Sequence, residues 1–172
     1  LLYTIMENKA QSRLTNKKKS IIFIDNDYET PKKVLQDIIP FISQDKIIYD
    51  PFYCDGYVKT VWKDLGYECI NNKVDAFDKV DYDFDIIITN PPFSIKKKVI
   101  DLCLSYNKPF MVLLPIDAMG SKWIKPYFNK FQYLIPNGRY NFYKKNKDNK
   151  GAWFDTMWLC YNMNLDNIII KL

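Results

Sequence analysis

The sequence contains no histidine and only five glycines and four cysteines among its 172 residues. The absence of histidine removes the usual acid–base catalyst at neutral pH and a common zinc ligand. The cysteines are scattered without the short spacing of a metal site, so no metal is predicted and reduced thiols are expected. That redox state indicates an intracellular protein, cytoplasmic or nuclear. The four are Cys54, Cys69, Cys103 and Cys160.

The sequence also lacks a long hydrophobic run. No apolar segment approaches the roughly 20 residues that a membrane-spanning helix requires, and residues 1–19 lack the charged-then-apolar order of a signal peptide. Membrane insertion and secretion are therefore not expected. A formal net charge of +5 favours an anionic partner, although the abundance of Lys, Asn and Ile is also typical of AT-rich coding sequence.

The composition is that of a folded domain. Hydrophobic residues make up 48% of the chain and aromatic residues 16%, enough apolar surface for one sizeable core, and the length suits a single domain. Because the chain begins with Leu rather than Met, we treat residues 1–19 as an uncertain N-terminal extension. Residues 20–172 are the predicted domain.

Short apolar runs alternate with helical repeats, which predicts an α/β fold with an open, mostly parallel sheet. Thr30 is the expected N-cap of the first helix, with Pro31 at its first position and Pro40 bending or ending it. Further helices are predicted at 57–65 and 95–106. A short apolar run spans residues 21–24. Strands are predicted at 46–49, 67–70, 85–89, 110–114, 131–135, 139–143, 153–161 and 168–171. The later strands have no helix between them, which favours antiparallel pairing at one edge.

Two loops follow predicted core strands at the edge where open α/β sheets bind ligands. The first spans residues 50–56 and the second is Asn90-Pro91-Pro92-Phe93. Consecutive prolines lack N–H groups and hold φ at about −65°. The second loop is therefore expected to be stiff, with outward carbonyls and an aromatic ring at its tip.

Such a loop suits an exocyclic amino group. The side-chain oxygen of Asn90 and the carbonyl of Pro91 can accept both hydrogens of an NH₂ group while Phe93 stacks on the base. The same dipoles stabilise the positive charge that develops as the nitrogen attacks a carbon electrophile. Asn90, Pro91, Pro92 and Phe93 are the predicted catalytic residues; taken alone, the four also suit an ordinary turn.

The second loop resembles the catalytic motif of S-adenosylmethionine-dependent amino-methyltransferases. Asp50-Pro51-Phe52 with Gly56 resembles the first cofactor motif of adenine-N6 DNA methyltransferases, in particular small phage and viral enzymes. The resemblance implies a class I methyltransferase fold: a Rossmann-like, mostly parallel sheet flanked by helices and ending in antiparallel strands. It also implies methyl transfer from S-adenosylmethionine to the N6 of adenine, with DNA favoured and RNA, including the mRNA cap, open.

The resemblance further implies a set of cofactor-binding residues. The first loop would hold the methionine end, Thr30 and Pro31 would close over it, and Asp75 would contact the adenosine with Phe77 packed on its ring. The implied residues are Thr30, Pro31, Asp50, Pro51, Phe52, Tyr53, Asp55, Gly56, Asp75 and Phe77.

The sequence departs from the family pattern in three places. Cys54 stands where the family commonly has glycine, and residues 71–73 replace the usual acidic clamp for the ribose. The segment between Ile70 and the strand at 85–89 is too short for a further strand with its helices. We therefore expect the third strand of the family to be missing or reduced, which exposes a sheet edge that a partner chain can cover.

Basic residues near the loops suggest a nucleic-acid partner with a flipped or single-stranded adenine. Lys96 and Lys97 follow the second loop, and Arg139, Lys144 and Lys145 lie in a basic segment with aromatic residues, 139–150. A solvated helix face is the more usual explanation of the first group, and a solvated hairpin loop after an edge strand explains the second equally well. Two other functions stay open: a catalytically silent, methyltransferase-like subunit that binds nucleic acid or scaffolds a partner, and a ribosomal guanine-N2 methyltransferase, a class that shares the Asn-Pro-Pro-Phe motif.

Overall fold

The computed structural model describes residues 28–144, 154–167 and 169–172, which contain nine strands. Seven of them form one central sheet, and the other two, the first and the seventh, pair with each other antiparallel. In chain order the strands are β1 (Tyr28–Glu29), β2 (Ile47–Tyr49), β3 (Glu68–Ile70), β4 (Ile86–Thr89), β5 (Phe110–Pro115), β6 (Phe131–Ile135), β7 (Tyr143–Lys144), β8 (Thr156–Tyr161) and β9 (Ile169–Lys171). The helices are α1 (Lys32–Gln36), α2 (Tyr57–Asp64) and α3 (Lys96–Ser105). Short 3₁₀ turns span Ile39–Phe41, Phe93–Ile95, Ile116–Gly120 and Lys125–Lys130.

The central sheet has the order β3-β2-β4-β5-β8-β6-β9. Strands β3, β2, β4 and β5 run parallel, and β8 lies antiparallel between β5 and β6. The last strand, β9, pairs parallel with β6, so the antiparallel region predicted at one edge is confirmed for β8 but does not extend to β9. This mixed sheet with flanking helices confirms the predicted class I methyltransferase fold.

The core lies on both faces of the sheet. One cluster contains α1 and α2 residues such as Leu35 and Trp62, and the other contains α3 residues such as Val99. The run Ile86–Ile88 is buried throughout because its alternate side chains enter the two clusters. This double burial is the reason a parallel strand reads as continuously apolar.

Helix α2 begins and ends at glycines with left-handed backbone. Gly56, at φ +81°, precedes Tyr57, and Gly66, at φ +87°, follows the last turn as the sequence predicted. The Asp55 carboxylate accepts a hydrogen bond of 3.0 Å from the backbone N–H of Tyr57. The first loop is thereby fixed to the start of the helix that supports it.

The prediction that Thr30 caps the first helix is wrong. Helix α1 starts at Lys32, its N-cap position is Pro31, and no side chain caps it. The hydroxyl of Thr30 instead accepts a hydrogen bond from Asn90, so it serves the second loop. The helix ends at Gln36, before Pro40, which lies in a separate 3₁₀ turn.

The strand predicted at 139–143 is also wrong, apart from its last residue. Tyr140 and Phe142 lie outside regular structure and are buried in the cluster that includes α1. The Tyr140 hydroxyl donates to Asp37 across 2.9 Å. This segment therefore packs over α1 instead of forming the hydrogen-bond ladder of a strand. The apolar run at residues 21–24 lies outside the described residues, as do Trp153 and Ile168 of two predicted strands.

The reduced middle of the domain is confirmed. Residues 71–85 contain no helix or strand, and β3 is consequently an edge strand, with Glu68 exposed. No helix in the described ranges is long and apolar enough to cross a membrane.

Candidate active site

The two predicted loops lie side by side. Strands β2 and β4 are parallel neighbours, so their carboxyl ends reach the same edge of the sheet. Asp50 follows β2, and Thr89 is the last residue of β4. The Thr89 hydroxyl donates a hydrogen bond of 2.7 Å to Asp50 Oδ1. Because Asn90 comes next, this bond ties the first loop to the start of the second.

Asp50 is a buried carboxyl group, 5% exposed. Burial raises its pKa to about 7, although the hydrogen bonds from Thr89 and from the backbone N–H of Phe52 oppose this change. Among the described residues, no ion pair involves Asp50. The group therefore changes charge near neutral pH, and a cation bound beside it would stabilise the ionised form.

Asn71 holds the first loop from the neighbouring strand. It directly follows β3, is 2% exposed, and its Nδ2 donates to the backbone oxygens of Asp50 at 3.0 Å and Phe52 at 3.2 Å. Its Oδ1 is buried without a hydrogen-bond partner. Sequence reasoning treated Asn71 as a missing acidic clamp and missed this role; its place directly after a strand parallel to β2 is the signal that could have indicated it.

The second loop is oriented by a contact across the chain. Asn90 is half-buried, and its Nδ2 donates to the Thr30 hydroxyl across 3.0 Å. Because the nitrogen side of the amide is used, Oδ1 is the atom available to accept hydrogen bonds. Pro91 and Pro92 are buried behind it. The structure thus brings together Thr30 and Asn90, which are 60 residues apart.

Phe93 forms the end of the second loop. Its ring is half-buried and meets Phe154 edge-on, with the centroids 5.4 Å apart. The 3₁₀ turn Phe93–Ile95 then leads directly into α3. The aromatic residue is therefore supported by a neighbouring ring, and the chain beyond it enters a basic helix.

The segment predicted to contact adenosine lies against the first loop. The ring of Phe77 meets Phe52 edge-on at 6.2 Å, and Lys98 Nζ lies 4.5 Å from the centroid of Phe77. Asp75 is exposed, and its carboxylate accepts a hydrogen bond of 2.9 Å from the backbone N–H of Phe77. These contacts place Phe77 between the first loop and α3.

The tip of the first loop has strained backbone. Cys54 is exposed and has φ +50°, a conformation that glycine adopts more readily. A Cβ on Gly56 would lie 3.1 Å from the ring of Tyr53, which is itself half-buried. Pro51 is buried at the base of the loop, and Pro31 is half-buried immediately before α1.

The predicted nucleic-acid residues are only partly available. Lys97 pairs with Asp101 at 2.7 Å, which raises the pKa of that lysine, and Arg139 pairs with Asp155 at 3.2 Å. Lys96 is half-buried, Lys144 pairs through its backbone with β1, and Lys145 lies outside the described residues. Tyr140 and Phe142, two aromatic residues of the basic segment 139–150, are core residues, so their rings are not available to stack on a base.

The sheet order and the flanking helices give the chain a class I methyltransferase-like fold. No protein-family model matches the chain. Over 96 residues it is 32% identical to the type II methyltransferase M.MgeORF184P of Mycoplasma genitalium, a match that covers 55% of this chain and 29% of that protein. The chain thus matches less than a third of the relative's length. Among solved structures, a dimethyladenosine transferase from Plasmodium falciparum has a TM-score of 0.47 and 15% identity, covering 78% of this chain and 62% of that one.

Proposed function

We propose that this chain transfers the methyl group of S-adenosylmethionine to the N6 amino group of adenine in nucleic acid, with DNA as the favoured substrate. The observation that carries the proposal is the hydrogen bond between Thr89 and Asp50, which joins the loop proposed to hold the cofactor to the loop proposed to hold the amino group. The partial identity to a type II methyltransferase supports the same chemistry.

In the proposed reaction the second loop holds the target base. Asn90 Oδ1 and the carbonyl of Pro91 accept the two amino hydrogens, and the ring of Phe93 stacks on the purine. These oxygens keep the amino nitrogen in line for attack and stabilise the positive charge that develops on it. The base has to leave the duplex, or come from a single strand, to reach this loop.

The first loop has the properties that a cationic cofactor requires. Asp50 is a buried carboxyl group with no ion-pair partner among the described residues, so the ammonium of a bound amino acid moiety would stabilise its charged form. When bound, S-adenosylmethionine supplies an electrophilic methyl group. We assign the methionine end to residues 50–56 and the adenosine end to the neighbourhood of Phe77.

The proposal is tested by transfer of labelled methyl groups to matched DNA, RNA and peptide substrates, followed by identification of the modified nucleoside. We expect N6-methyladenine in DNA. The variant Asn90→Ala should lose transfer while it retains S-adenosylmethionine binding. Label on guanine or on the peptide, or normal transfer by the variant, would contradict the proposal.

A catalytically silent subunit is the second candidate, and one observation favours it. Cys54 adopts a left-handed conformation at the tip of the cofactor loop, where a glycine would be unstrained. A silent subunit would bind oligonucleotides but would give no heat when titrated with S-adenosylmethionine.

A further inference from the structure

A basic groove opens directly beyond the second loop. It has a volume of about 490 Å³ and begins at Ser94, the residue after Phe93. Its wall contains three lysines of α3 and one acidic residue, Asp101, so its formal charge is +2 (three minus one). The lining residues are Ser94, Ile95, Lys96, Lys97, Lys98, Asp101 and Trp123. The volume lies within the range of pockets that hold a nucleotide-sized ligand.

Trp123 gives this groove an aromatic surface. The indole is half-buried and packs against the core cluster on the α3 side of the sheet, so the core supports one part of the ring while another part lines the groove. The other two described tryptophans, Trp62 and Trp158, are fully buried. Trp123 is therefore the tryptophan within the described ranges that a ligand in solution can reach.

The lysines of the groove differ in their availability. Lys97 is paired with Asp101, and Lys98 lies over the ring of Phe77, which contacts the first loop. For Lys96 no ion pair occurs within the described part of the chain. Cations beside an exposed aromatic ring are the combination that binds a phosphodiester and its base together, and such sites bind single strands with little sequence preference.

We propose that this groove binds the single-stranded DNA nucleotide next to the target adenine, with its base stacked on Trp123 and its phosphate beside Lys96 and Lys98. The inference rests on the proposed function, since it extends the DNA path one nucleotide beyond the second loop. Ser94 follows Phe93 directly, so the groove starts where a neighbouring nucleotide would lie.

The test is a titration of the protein with an oligodeoxyadenylate in the absence of S-adenosylmethionine, with binding monitored by tryptophan fluorescence. We expect quenching in the wild type. Trp123→Ala should abolish that quenching and weaken binding about tenfold, the size of one base–aromatic stack. Trp123→Phe, which keeps the packing on the core, should retain most of the affinity. Inorganic polyphosphate, which has charge but no bases, should bind both variants as it binds the wild type.

The phosphate contacts are tested by the salt dependence of the same binding. Lys96→Ala combined with Lys98→Ala should reduce the slope of log affinity against log salt by about 0.7, the value for one phosphate of a single strand. Lys63→Ala is the matched control, because Lys63 is an exposed lysine near the end of α2, away from the loops. Its slope should equal that of the wild type.

Unchanged oligonucleotide affinity in Trp123→Ala, or an unchanged salt slope in the double lysine variant, would overturn the inference. This failure is separate from failure of the proposed function. Methyl transfer with no effect of Trp123 refutes the groove alone, whereas Trp123-dependent binding without methyl transfer refutes the proposed reaction and leaves the groove.

Discussion

Two regions of the sheet are built on different principles. The loop edge, by which we mean the carboxyl ends of β2, β3 and β4, contains three buried polar residues: Asp50, Asn71 and Thr89. The antiparallel half, formed by β5, β8 and β6, has longer strands, and the side chains of β5 are all buried and apolar. Thr156 is its one buried polar residue within the described ranges.

The difference indicates where stability and chemistry reside. Burying apolar side chains is the main source of folding free energy, whereas a buried carboxyl or amide lowers stability unless it is well paired. At the loop edge, the buried carboxyl group of Asp50 has a raised pKa. Buried side-chain atoms without a hydrogen-bond partner occur in both regions, for example Asn71 Oδ1 at the loop edge and Thr156 Oγ1 in the antiparallel half. We infer that the polar residues of the loop edge serve function and lower the unfolding free energy of the domain. The apolar burial in the antiparallel half offsets that loss.

The largest effect is expected from Asn90→Ala at the loop edge. Loss of the side-chain acceptor should lower the rate of methyl transfer by about 10³-fold, the order seen when one preorganised polar contact to a developing charge is removed. The unfolding free energy should change little. Single-turnover transfer and denaturant unfolding of the same preparation measure the two effects. A loss of unfolding free energy as large as the loss of transition-state stabilisation would contradict the distinction between the two regions.

In the antiparallel half, Leu159→Ala should have the opposite profile. Leu159 is fully buried between β5 and β6, so the cavity should lower the unfolding free energy by roughly 2 to 5 kcal/mol. The Michaelis constant for S-adenosylmethionine should stay within about twofold under conditions where the variant is folded. A selective rise of that constant would show that the two regions are not separable.

Asp50 should give the loop edge a pH dependence. Its pKa rises from 3.8 to about 7, so between these values the folded protein binds a proton that the unfolded chain does not. Unfolding free energy from this group therefore falls as pH rises from about 4 to about 7. The affinity for a cationic cofactor should rise over the upper part of that range, by nearly tenfold per pH unit below 7. Calorimetry from pH 5.5 to 7 measures this.

The matched variant for that pH dependence is Asp50→Asn. It keeps the shape and can still accept the hydrogen bonds at Oδ1, but it cannot titrate. Both the fall in stability and the rise in affinity with pH should disappear. If the variant retains either profile, another group is responsible.

Asn71 should affect cofactor binding by positioning the backbone of the first loop. In the wild type, the backbone carbonyls of Asp50 and Phe52 accept hydrogen bonds from Asn71 Nδ2. Asn71→Asp replaces this donor with a carboxylate that repels both carbonyls. We expect the Michaelis constant for S-adenosylmethionine to rise about tenfold, with a smaller change in kcat. The neighbouring variant Asn72→Asp adds the same charge at a half-buried position and should leave the constant nearly unchanged. An equal rise of the Michaelis constant in the two variants would indicate that the added charge alone causes it.

The smallest effect is expected at Cys54. Cys54→Gly should raise the unfolding free energy by about 0.5 to 1 kcal/mol. Glycine adopts φ +50° without the steric cost of a Cβ, and its greater conformational entropy in the unfolded chain cancels part of that gain. Cys54→Ala keeps the Cβ and should be nearly neutral. Thermal unfolding of the pair decides the matter, and a destabilised glycine variant would show that the cysteine side chain has a structural role.

The sequence allowed the order of strands and helices in the parallel half to be predicted because each element there has a local signal. Ile86–Ile88 is apolar throughout, and Gly66 marks the end of α2. The site itself depends on contacts between distant residues. That Thr89 would donate to Asp50, or Asn90 to Thr30, follows from how strands pair and where α1 starts, which local patterns do not specify.

The errors have the same origin. Tyr140 and Phe142 alternate with polar residues as a strand does, yet both are buried in the cluster that includes α1. The Tyr140 hydroxyl also donates to Asp37, 103 residues away. The sequence shows Asn71 only as the absence of an acidic clamp, because a single sequence gives residue types but not spatial neighbours. Its two hydrogen bonds to the first loop become visible only when β3 is placed beside β2.

The central claim, that the two loops form one cofactor-dependent site, is tested most directly by titrating S-adenosylmethionine into the wild type, Asn90→Ala and Asp50→Ala at pH 7 and following the heat. The wild type and Asn90→Ala should bind one equivalent with similar affinity, and Asp50→Ala should give no saturable heat. No heat from the wild type, or equal binding by the Asp50 variant, would contradict the claim.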